Sequence, residues 1–315
     1  MICSMPKTLK LIRRPGQRTR IIAIALKKGG VGKTTTTLNL AYHLTLIVIF
    51  DEEEGVFRNA RVLVIDLDQQ ANLTSGLNVP VPGEGDVTPT TWNVLHPEKT
   101  RRMALDDVIV GTEFGVDLAP ARSDLKDLEV SLGPGGQMRL ARELETLPDY
   151  DFVLIDCPPA LGELTSAALS AADCVLAPVK PGRDEVEAVA SLEEAVENAG
   201  LNNPNLRIGY VLVTDYNSGS RATKKIRRTL EDSWRNEYLG TIAHTVRVVE
   251  AKAHSKPIDV YAPGCTAAED YGRVARRIAT DVYGASDEDY EEAEKRAAQE
   301  QDGALNLEGV GATHE

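Results

Sequence analysis

The chain has 315 residues, of which 42% are hydrophobic and only 5% aromatic, and its formal net charge is −13. This length allows one large core or two modest ones, built mainly from Leu, Val, Ile and Ala. No stretch approaches the roughly 20 apolar residues that a membrane span needs, and residues 1–5 lack the apolar core of a signal peptide, which predicts a cytoplasmic location. The four cysteines are too widely spaced for a disulfide framework or a zinc site.

The charge is unevenly distributed along the chain. Residues 1–20 carry six basic side chains and no acidic one. Because they contain two prolines and show no sustained period, we predict a flexible basic arm over residues 1–19, which is either a solvated tail or a nucleic-acid contact. Residues 284–315 carry ten acidic side chains against two basic ones, which predicts an acidic, disordered tail. One folded domain is expected between them, over residues 20–283.

Residues 27–35, KKGGVGKTT, have the context of a phosphate-binding loop. They follow the apolar run 21–26, which predicts a buried parallel strand, and they open a segment with helical spacing of its apolar residues. The glycines let backbone N–H groups surround anionic oxygens. Lys33 would reach the β- and γ-phosphates, and the Thr34 hydroxyl would ligate Mg²⁺. The alternative, a glycine-rich turn without a ligand, does not explain why lysine, threonine and flanking elements fit together.

Two other apolar runs end in aspartates. Residues 61–68 end in Asp66 and Asp68, and residues 150–156 end in Asp156. The carboxyl ends of parallel strands form the rim where open α/β sheets bind ligands, and the two-residue spacing sends Asp66 and Asp68 to one face. Asp156 has the Walker B arrangement, in which a carboxylate holds Mg²⁺. The alternative for such an aspartate is a helix N-cap or a turn.

Together these stretches resemble the ParA/MinD family of ATPases. Residues 28–35, KGGVGKTT, are similar to its deviant Walker A motif, and residues 66–77 to its switch I, with Gln69 and Ala71 where Pro and Gly usually stand. Residues 156–159 resemble switch II. The best match within the family is the ParA/Soj-type partition ATPase, over residues 20–283. The resemblance implies a P-loop NTPase fold, α/β with a mostly parallel twisted sheet and helices on both faces, and the alternation of strands and helices predicts the same architecture independently.

The resemblance also implies the chemistry. ATP and Mg²⁺ would be the cofactors of a slow, partner-stimulated hydrolysis of ATP to ADP and phosphate. Lys28 would reach the nucleotide of a partner subunit, and Asp68, supported by Asp66, would position the attacking water. The implied nucleotide contacts are Lys28, Gly29, Gly30, Val31, Gly32, Lys33, Thr34, Thr35, Thr214 and Asp215. The implied Mg²⁺ residues are Thr34, Asp66 and Asp156.

Three partners are implied by the resemblance: a second copy of the chain on ATP binding, non-specific double-stranded DNA, and a ParB-like centromere-binding protein. The protein would associate with the nucleoid and drive chromosome or plasmid partitioning. The candidate DNA contacts are Lys224, Lys225, Arg227, Arg228 and Arg247. Residues 221–228 hold five positive charges and no acid, a run that can also be a solvated face.

The main alternative is a MinD-like ATPase that positions a complex at the membrane or cell pole. Such a protein would end in an amphipathic helix able to lie on lipid, whereas this tail is acidic and poor in apolar residues.

Two stretches depart from the family. Residues 45–60 look like an insertion relative to the family. Because residues 46–50 are apolar and largely β-branched, we predict an added β-hairpin here, with its turn at residues 51–55. Ala243 and His244 replace the Pro and Arg of the family's Pro-Arg-Asn-Val-Arg stretch. The adenine contact is therefore left open, and His244 is expected to be a hydrogen-bonded polar residue rather than a catalyst.

Overall fold

The computed structural model describes residues 11–83, 86–147, 150–182 and 185–286. The strands are β1 Ile12–Arg13, β2 Arg20–Ile24, β3 Val48–Asp51, β4 Val56–Asn59, β5 Val62–Asp66, β6 Val110–Gly111, β7 Asp117–Ala119, β8 Phe152–Asp156, β9 Cys174–Val179, β10 Ile208–Tyr216 and β11 Tyr238–Ala243. The helices are α1 Lys33–Thr45, α2 Asn72–Gly76, α3 Thr91–Leu95, α4 Leu125–Leu128, α5 Arg139–Leu144, α6 Glu163–Ala171, α7 Glu185–Ala199, α8 Arg221–Ser233, α9 Val246–Ala253, α10 Ile258–Tyr261 and α11 Thr266–Tyr283. Within these ranges no helix is long and apolar enough to cross a bilayer.

An eight-stranded sheet with the order β11-β10-β9-β2-β8-β5-β7-β6 forms the centre of the domain. Its neighbouring strands are parallel, apart from the antiparallel pair of β6 and β7. Ile24 at the end of β2 lies opposite Asp156 of β8, which in turn lies opposite Asp66 of β5. The three motif-bearing strands therefore end side by side at one level of the rim.

Both faces of this sheet are covered by helices. Ile22 and Ile24 pack into a core with residues of α1 and α11, whereas Ala23 packs into a second core with residues of α6 and α7. This alternation follows from the period of two in a β-strand, and apolar side chains on both faces are expected for a parallel sheet buried between helix layers. The predicted α/β architecture is confirmed.

The predicted flexible arm is wrong for residues 11–19. Leu11 and Ile12 are buried, and β1 pairs in parallel with β3, which forms an antiparallel hairpin with β4. That hairpin is the one predicted for the 45–60 insertion. A two-residue strand has no detectable period, and its partner lies far along the chain, so the local sequence could not reveal it. Residues 1–10 of the arm and residues 287–315 of the acidic tail lie outside the described residues.

A buried charge network joins this small sheet to the main one. Arg58 contacts the carboxylates of Asp51 and Asp151 at 2.6 Å each, and Arg13 pairs with the same two carboxylates at 3.4 and 3.5 Å. Asp151 directly precedes β8, so the network ties the hairpin to the central sheet. Two positive and two negative charges balance one another, which is the condition under which buried charges are tolerated.

Candidate nucleotide-binding and catalytic site

The loop between β2 and α1 has the backbone of a phosphate cradle. Gly30 and Gly32 have φ angles of 71° and 90°, in the left-handed region that favours glycine. Gly32 directly precedes α1 as its N-cap residue and has no side chain with which to cap this 13-residue helix. An anion at this point would gain the hydrogen bonds of the first helical N–H groups and the positive end of the helix dipole.

Lys33 folds back over this loop. Its side chain is buried, and Nζ donates to the carbonyl oxygen of Leu26 at 3.2 Å and of Lys28 at 2.9 Å. Burial lowers the pKa of Lys33, and the negative charge of Asp156 opposes this shift. A phosphate oxygen would offer the ammonium group a charged acceptor in place of neutral carbonyls, and such bonds are stronger.

Asp156, at the end of β8, is fully buried, and one of its oxygens lacks a partner. Oδ1 accepts a hydrogen bond from the Thr37 hydroxyl at 3.1 Å, whereas Oδ2 has no partner of normal hydrogen-bond geometry among the described residues, although the Thr34 hydroxyl lies nearby. Burial and then the charge of Asp66 raise the pKa of Asp156 to about 8, against the hydroxyl groups of Thr34 and Thr37. A buried carboxylate oxygen without a partner is unfavourable unless a cation meets it.

These donors fit Mg²⁺ at a nucleotide site. Mg²⁺ in such sites uses one or two protein oxygens and completes its octahedron with water and phosphate oxygens. The Thr34 hydroxyl and Oδ2 of Asp156 supply that kind of partial set. In the described part of the chain, no group of three or more His, Cys, Asp or Glu side chains could hold a metal ion. A partial set of this kind is suited to a metal that is held jointly with phosphate.

Asp66 and Asp68 have different surroundings. Asp66 accepts hydrogen bonds from the backbone N–H of Asp68 at 3.1 Å and from the N–H and hydroxyl of Thr74 at 3.0 and 2.8 Å. Burial raises the pKa of Asp66 to about 7, against these hydrogen bonds. Asp68 is 8% exposed and accepts a hydrogen bond from the backbone N–H of Gln70 at 2.9 Å. Asp66 thus shapes the loop that carries Asp68, and its place in the Mg²⁺ shell stays a prediction.

A cavity of about 370 Å³ adjoins the glycine loop. Thr214 and Asp215, two predicted nucleotide contacts, line it together with residues of β11, α9 and Tyr271. The Thr214 hydroxyl donates to the carbonyl of Val31 at 2.7 Å, which fixes the loop to β10. The size of the cavity and its place beside the phosphate cradle suit a nucleoside.

Asp215 connects three segments at the edge of this cavity. Its oxygens contact Lys180 Nζ at 2.7 Å and His244 Nδ1 at 2.5 Å, and its φ is 53°. Burial acts to raise the pKa of Asp215, but the hydrogen bonds from Lys180 and His244 outweigh burial and lower it. His244 therefore is a hydrogen-bonded polar residue, as expected, and its partner is an aspartate that also faces the cavity.

Lys28 lies half-buried in the glycine loop. With Lys27 it borders a shallow cavity of about 260 Å³, whose other wall is formed by residues of α7. Its predicted contact with a partner subunit stays a prediction. Thr37 and Lys180 were missed by sequence reasoning, although Thr37 stands one helical turn after Lys33, a spacing that places both on the same face of α1.

The predicted DNA contacts fall into two groups. Lys224, Lys225 and Arg228 are exposed on α8, where they line a shallow depression. Arg227 pairs with Glu231 at 2.7 Å, and Arg247 on α9 pairs with Glu250 of the same helix at 3.0 Å. The positive face of α8 is therefore made by the first group, because the charges of the second group are partly compensated.

Known proteins match both the sequence and this geometry. Residues 19–208 match the AAA domain family. The chain is 34% identical over 268 residues to the sporulation initiation inhibitor protein Soj of Bacillus subtilis, a match that covers 82% of this chain and 98% of that protein. The chain belongs to the Soj/ParA family. A second Soj/ParA relative, the chromosome-partitioning ATPase Soj of Thermus thermophilus, is 36% identical over 264 residues, covering 83% of this chain and 96% of that protein.

A solved structure shares the fold of this chain. Cobyrinic acid a,c-diamide synthase from Mycobacterium smegmatis matches with a TM-score of 0.65 and 28% identity over 83% of this chain and 95% of that one. Its structure contains an ATP analogue and magnesium. The predicted family and P-loop fold are confirmed, and the prediction of ATP and Mg²⁺ as cofactors is confirmed at the level of this relative.

Proposed function

We propose that this chain is a partition ATPase that hydrolyses ATP where β2, β8 and β5 end. One observation carries the proposal. The unpartnered, buried oxygen of Asp156 lies at the level of the glycine loop and of the strand that precedes Asp68. A Mg²⁺-nucleotide complex bound there would satisfy that oxygen and the uncapped start of α1 together.

Each motif residue has a role in this reaction. Lys33 and the first N–H groups of α1 hold the β- and γ-phosphates, and Thr34 and Asp156 would hold Mg²⁺. The metal, when bound, neutralises charge on the phosphate oxygens. Asp68 orients the attacking water and polarises it, which stabilises the transition state rather than bound ATP. Asp66 supports this arrangement through the loop that it closes.

Dimerisation on ATP binding is the next part of the proposal. Lys28 stands in the glycine loop at a half-buried position, and the loop's own phosphate site already has Lys33. A second lysine at this position serves the nucleotide held by the partner subunit. The two subunits then meet face to face, and each completes the other's site.

The ATP-bound dimer binds DNA without sequence preference through α8. Lys224, Lys225 and Arg228 form an exposed positive face on a chain whose net charge is −13. A symmetric dimer doubles this face, which offsets the repulsion between the acidic body and a polyanion. Arg247 and Arg227, which are paired with glutamates, contribute less. Hydrolysis separates the dimer and releases DNA.

A ParB-like centromere-binding protein stimulates hydrolysis in this cycle, and the DNA-bound form associates with the nucleoid. Relatives with chromosome-partitioning names favour this function over a MinD-like role at the membrane or cell pole.

Two variants test the proposed site. Lys33→Ala should lose ATP binding because phosphate charge is then met only by backbone dipoles, whereas Lys27→Ala, an exposed neighbour, should not. Asp68→Ala should bind ATP normally, and its rate of ATP hydrolysis should fall by about a hundredfold or more. Asp127 is an exposed carboxylate on α4, and Asp127→Asn should match the parent in both measurements. Calorimetric titration and single-turnover hydrolysis provide the two measurements. Full hydrolysis by Asp68→Ala would refute the assignment of the water-orienting group.

A further inference from the structure

His244 lines the cavity beside the glycine loop, and the reaction described above gives this side chain no role. It follows β11 directly and shares the cavity wall with Thr214 and Asp215. The side chain is 56% exposed, so packing in the core does not account for a histidine at this position. A polar ring placed here can meet a molecule bound in the cavity.

Neighbouring segments hold both the backbone and the ring of His244. Its backbone N–H donates to the carbonyl oxygen of Tyr216 at 3.0 Å, and its Nδ1 contacts Oδ1 of Asp215 at 2.5 Å. Lys180 Nζ holds the other oxygen of Asp215 at 2.7 Å. Asp215 itself has a φ of 53°, a conformation that persists where the surroundings impose it. The ring therefore has a fixed place at the cavity wall.

The contact with Asp215 decides which ring nitrogen of His244 carries the proton. Burial acts to raise the pKa of Asp215, but the hydrogen bonds from Lys180 and His244 lower it, so the carboxylate is ionised and can only accept. Nδ1 must then be the donor. Because Lys180 already supplies a positive charge to this carboxylate, the group is balanced with a neutral imidazole. In that form Nε2 is an acceptor, and among the described residues it has no hydrogen-bond partner.

An acceptor at this wall distinguishes between purine bases. Adenine carries a 6-amino group, which donates, whereas guanine carries a 6-oxo group, which accepts. Ile242, Val246 and Val248 give the same cavity apolar walls, which suit the faces of a base. The arginine of the family stretch that residues 243–247 resemble could only donate. Histidine at this position thus supplies an acceptor that arginine cannot.

We propose that His244 sets the base specificity of the site, with Nε2 accepting a hydrogen bond from the 6-amino group of adenine. A 6-oxo purine is disfavoured because its oxygen would face the lone pair of Nε2. Asp215 is a positioning residue in this arrangement, since it fixes the ring and its tautomer, and Lys180 acts through Asp215. The inference rests on the proposed function, which places the nucleoside in this cavity.

ADP and IDP are the probes that test this role. IDP differs from ADP in carrying a 6-oxo group in place of the 6-amino group, and neither diphosphate undergoes the proposed hydrolysis, so their affinities report binding alone. His244→Ala removes the ring, and His244→Phe keeps a ring but has no nitrogen. His254→Ala is the matched control, because His254 is an exposed histidine at the end of α9 that does not line the cavity. Calorimetric titration of the full chain with Mg²⁺ at pH 8 gives each dissociation constant.

We expect the parent and His254→Ala to bind ADP more tightly than IDP. In His244→Ala and His244→Phe this preference should fall by about tenfold, the size of one hydrogen bond. A histidine that only packs against the base would affect both nucleotides equally, so the ratio of the two affinities separates recognition from packing.

The inference is overturned if the parent binds ADP and IDP alike, or if both His244 variants keep the preference of the parent. Because His244 is more than half exposed, neither substitution empties the core. Lys33→Ala distinguishes the two levels. If it binds both diphosphates as the parent does, the proposed nucleotide site fails together with the inference. If it loses both while the His244 variants keep the parent's preference, only the inference fails.

Discussion

Asp156 makes the stability of the nucleotide-free chain depend on pH. Burial and the charge of Asp66 raise its pKa to about 8, whereas an aspartate in an unfolded chain titrates near about 3.9. Between these two values the unfolded chain has released a proton that the folded chain still holds. Unfolding therefore becomes easier as pH rises from about 4 to 8. Under the proposed function, the carboxyl group that meets Mg²⁺ destabilises the protein when no cation is bound.

We predict that Asp156→Asn stabilises the nucleotide-free protein at pH 8, because a neutral amide has no charge to desolvate. At pH 5 the gain should shrink, since Asp156 is then neutral in the folded parent as well. The expected difference between the two pH values is a few degrees in melting temperature, at about 2–4 °C per kcal/mol for a domain of this size. Thermal unfolding without nucleotide measures it, with Asp127→Asn as control, and an equal gain at both pH values would argue against this account.

Residues that act through a local motif could be predicted, and those that act through distant contacts could not. Lys33, Thr34 and Asp156 stand in patterns that need only a strand, a loop and a helix start. Lys180 belongs to no such pattern, because its partner, Asp215, lies on a different strand far along the chain. Ala71 lies between these cases: glycine is usual at its position in the family, and its φ of 48° supplies the physical reason.

At the scale of elements, apolar runs with flanking motifs predicted β2, β5 and β8, because strands buried on both faces are continuous apolar stretches. The hairpin of β3 and β4 was also predicted, because residues 46–50, before its turn, are apolar and largely β-branched. β1 was not, because it is fixed by pairing with β3 and by buried charges rather than by its own composition. From the sequence alone, a basic residue such as Arg13 is expected to be exposed to solvent. In the structure it is buried against the carboxylates of Asp51 and Asp151.

The charge network around Arg58 gives a prediction about these elements. Arg58→Ala leaves Asp51 and Asp151 buried with Arg13 as their remaining cation, and breaking a buried pair in this way costs about 3–5 kcal/mol. Arg61→Ala removes an exposed pair with Glu54, which should cost less than about 1 kcal/mol. Urea unfolding of the two variants compares them. Equal stabilities would mean that the small sheet does not depend on the buried network.

For the whole molecule, DNA binding depends on the local charge of a surface patch rather than on the net charge of the chain. A chain of net charge −13 can bind DNA only through a surface such as the positive face of α8. Each phosphate neutralised should lower log affinity by about 0.9 per log unit of salt, whatever the DNA sequence.

We predict that Lys225→Glu weakens ATP-dependent DNA binding and reduces the salt slope, while its affinity for ATP stays at the parent value. Arg142→Glu on α5 carries the same charge change outside α8 and should leave DNA binding intact. Binding of duplexes of unrelated sequence, titrated at several salt concentrations, provides the measurement. If both variants bind DNA alike, the face of α8 is only solvated.

The most direct test of the account is the molecular mass of Asp68→Ala in solution with Mg²⁺ and ATP, measured by sedimentation equilibrium. The account predicts a dimer of about twice the 34.2 kDa chain mass, a monomer without nucleotide, and a monomer again when Lys28→Ala is added although ATP is still bound. A chain that binds ATP and remains monomeric in Asp68→Ala, or a dimer that survives the loss of Lys28 unchanged, would contradict it.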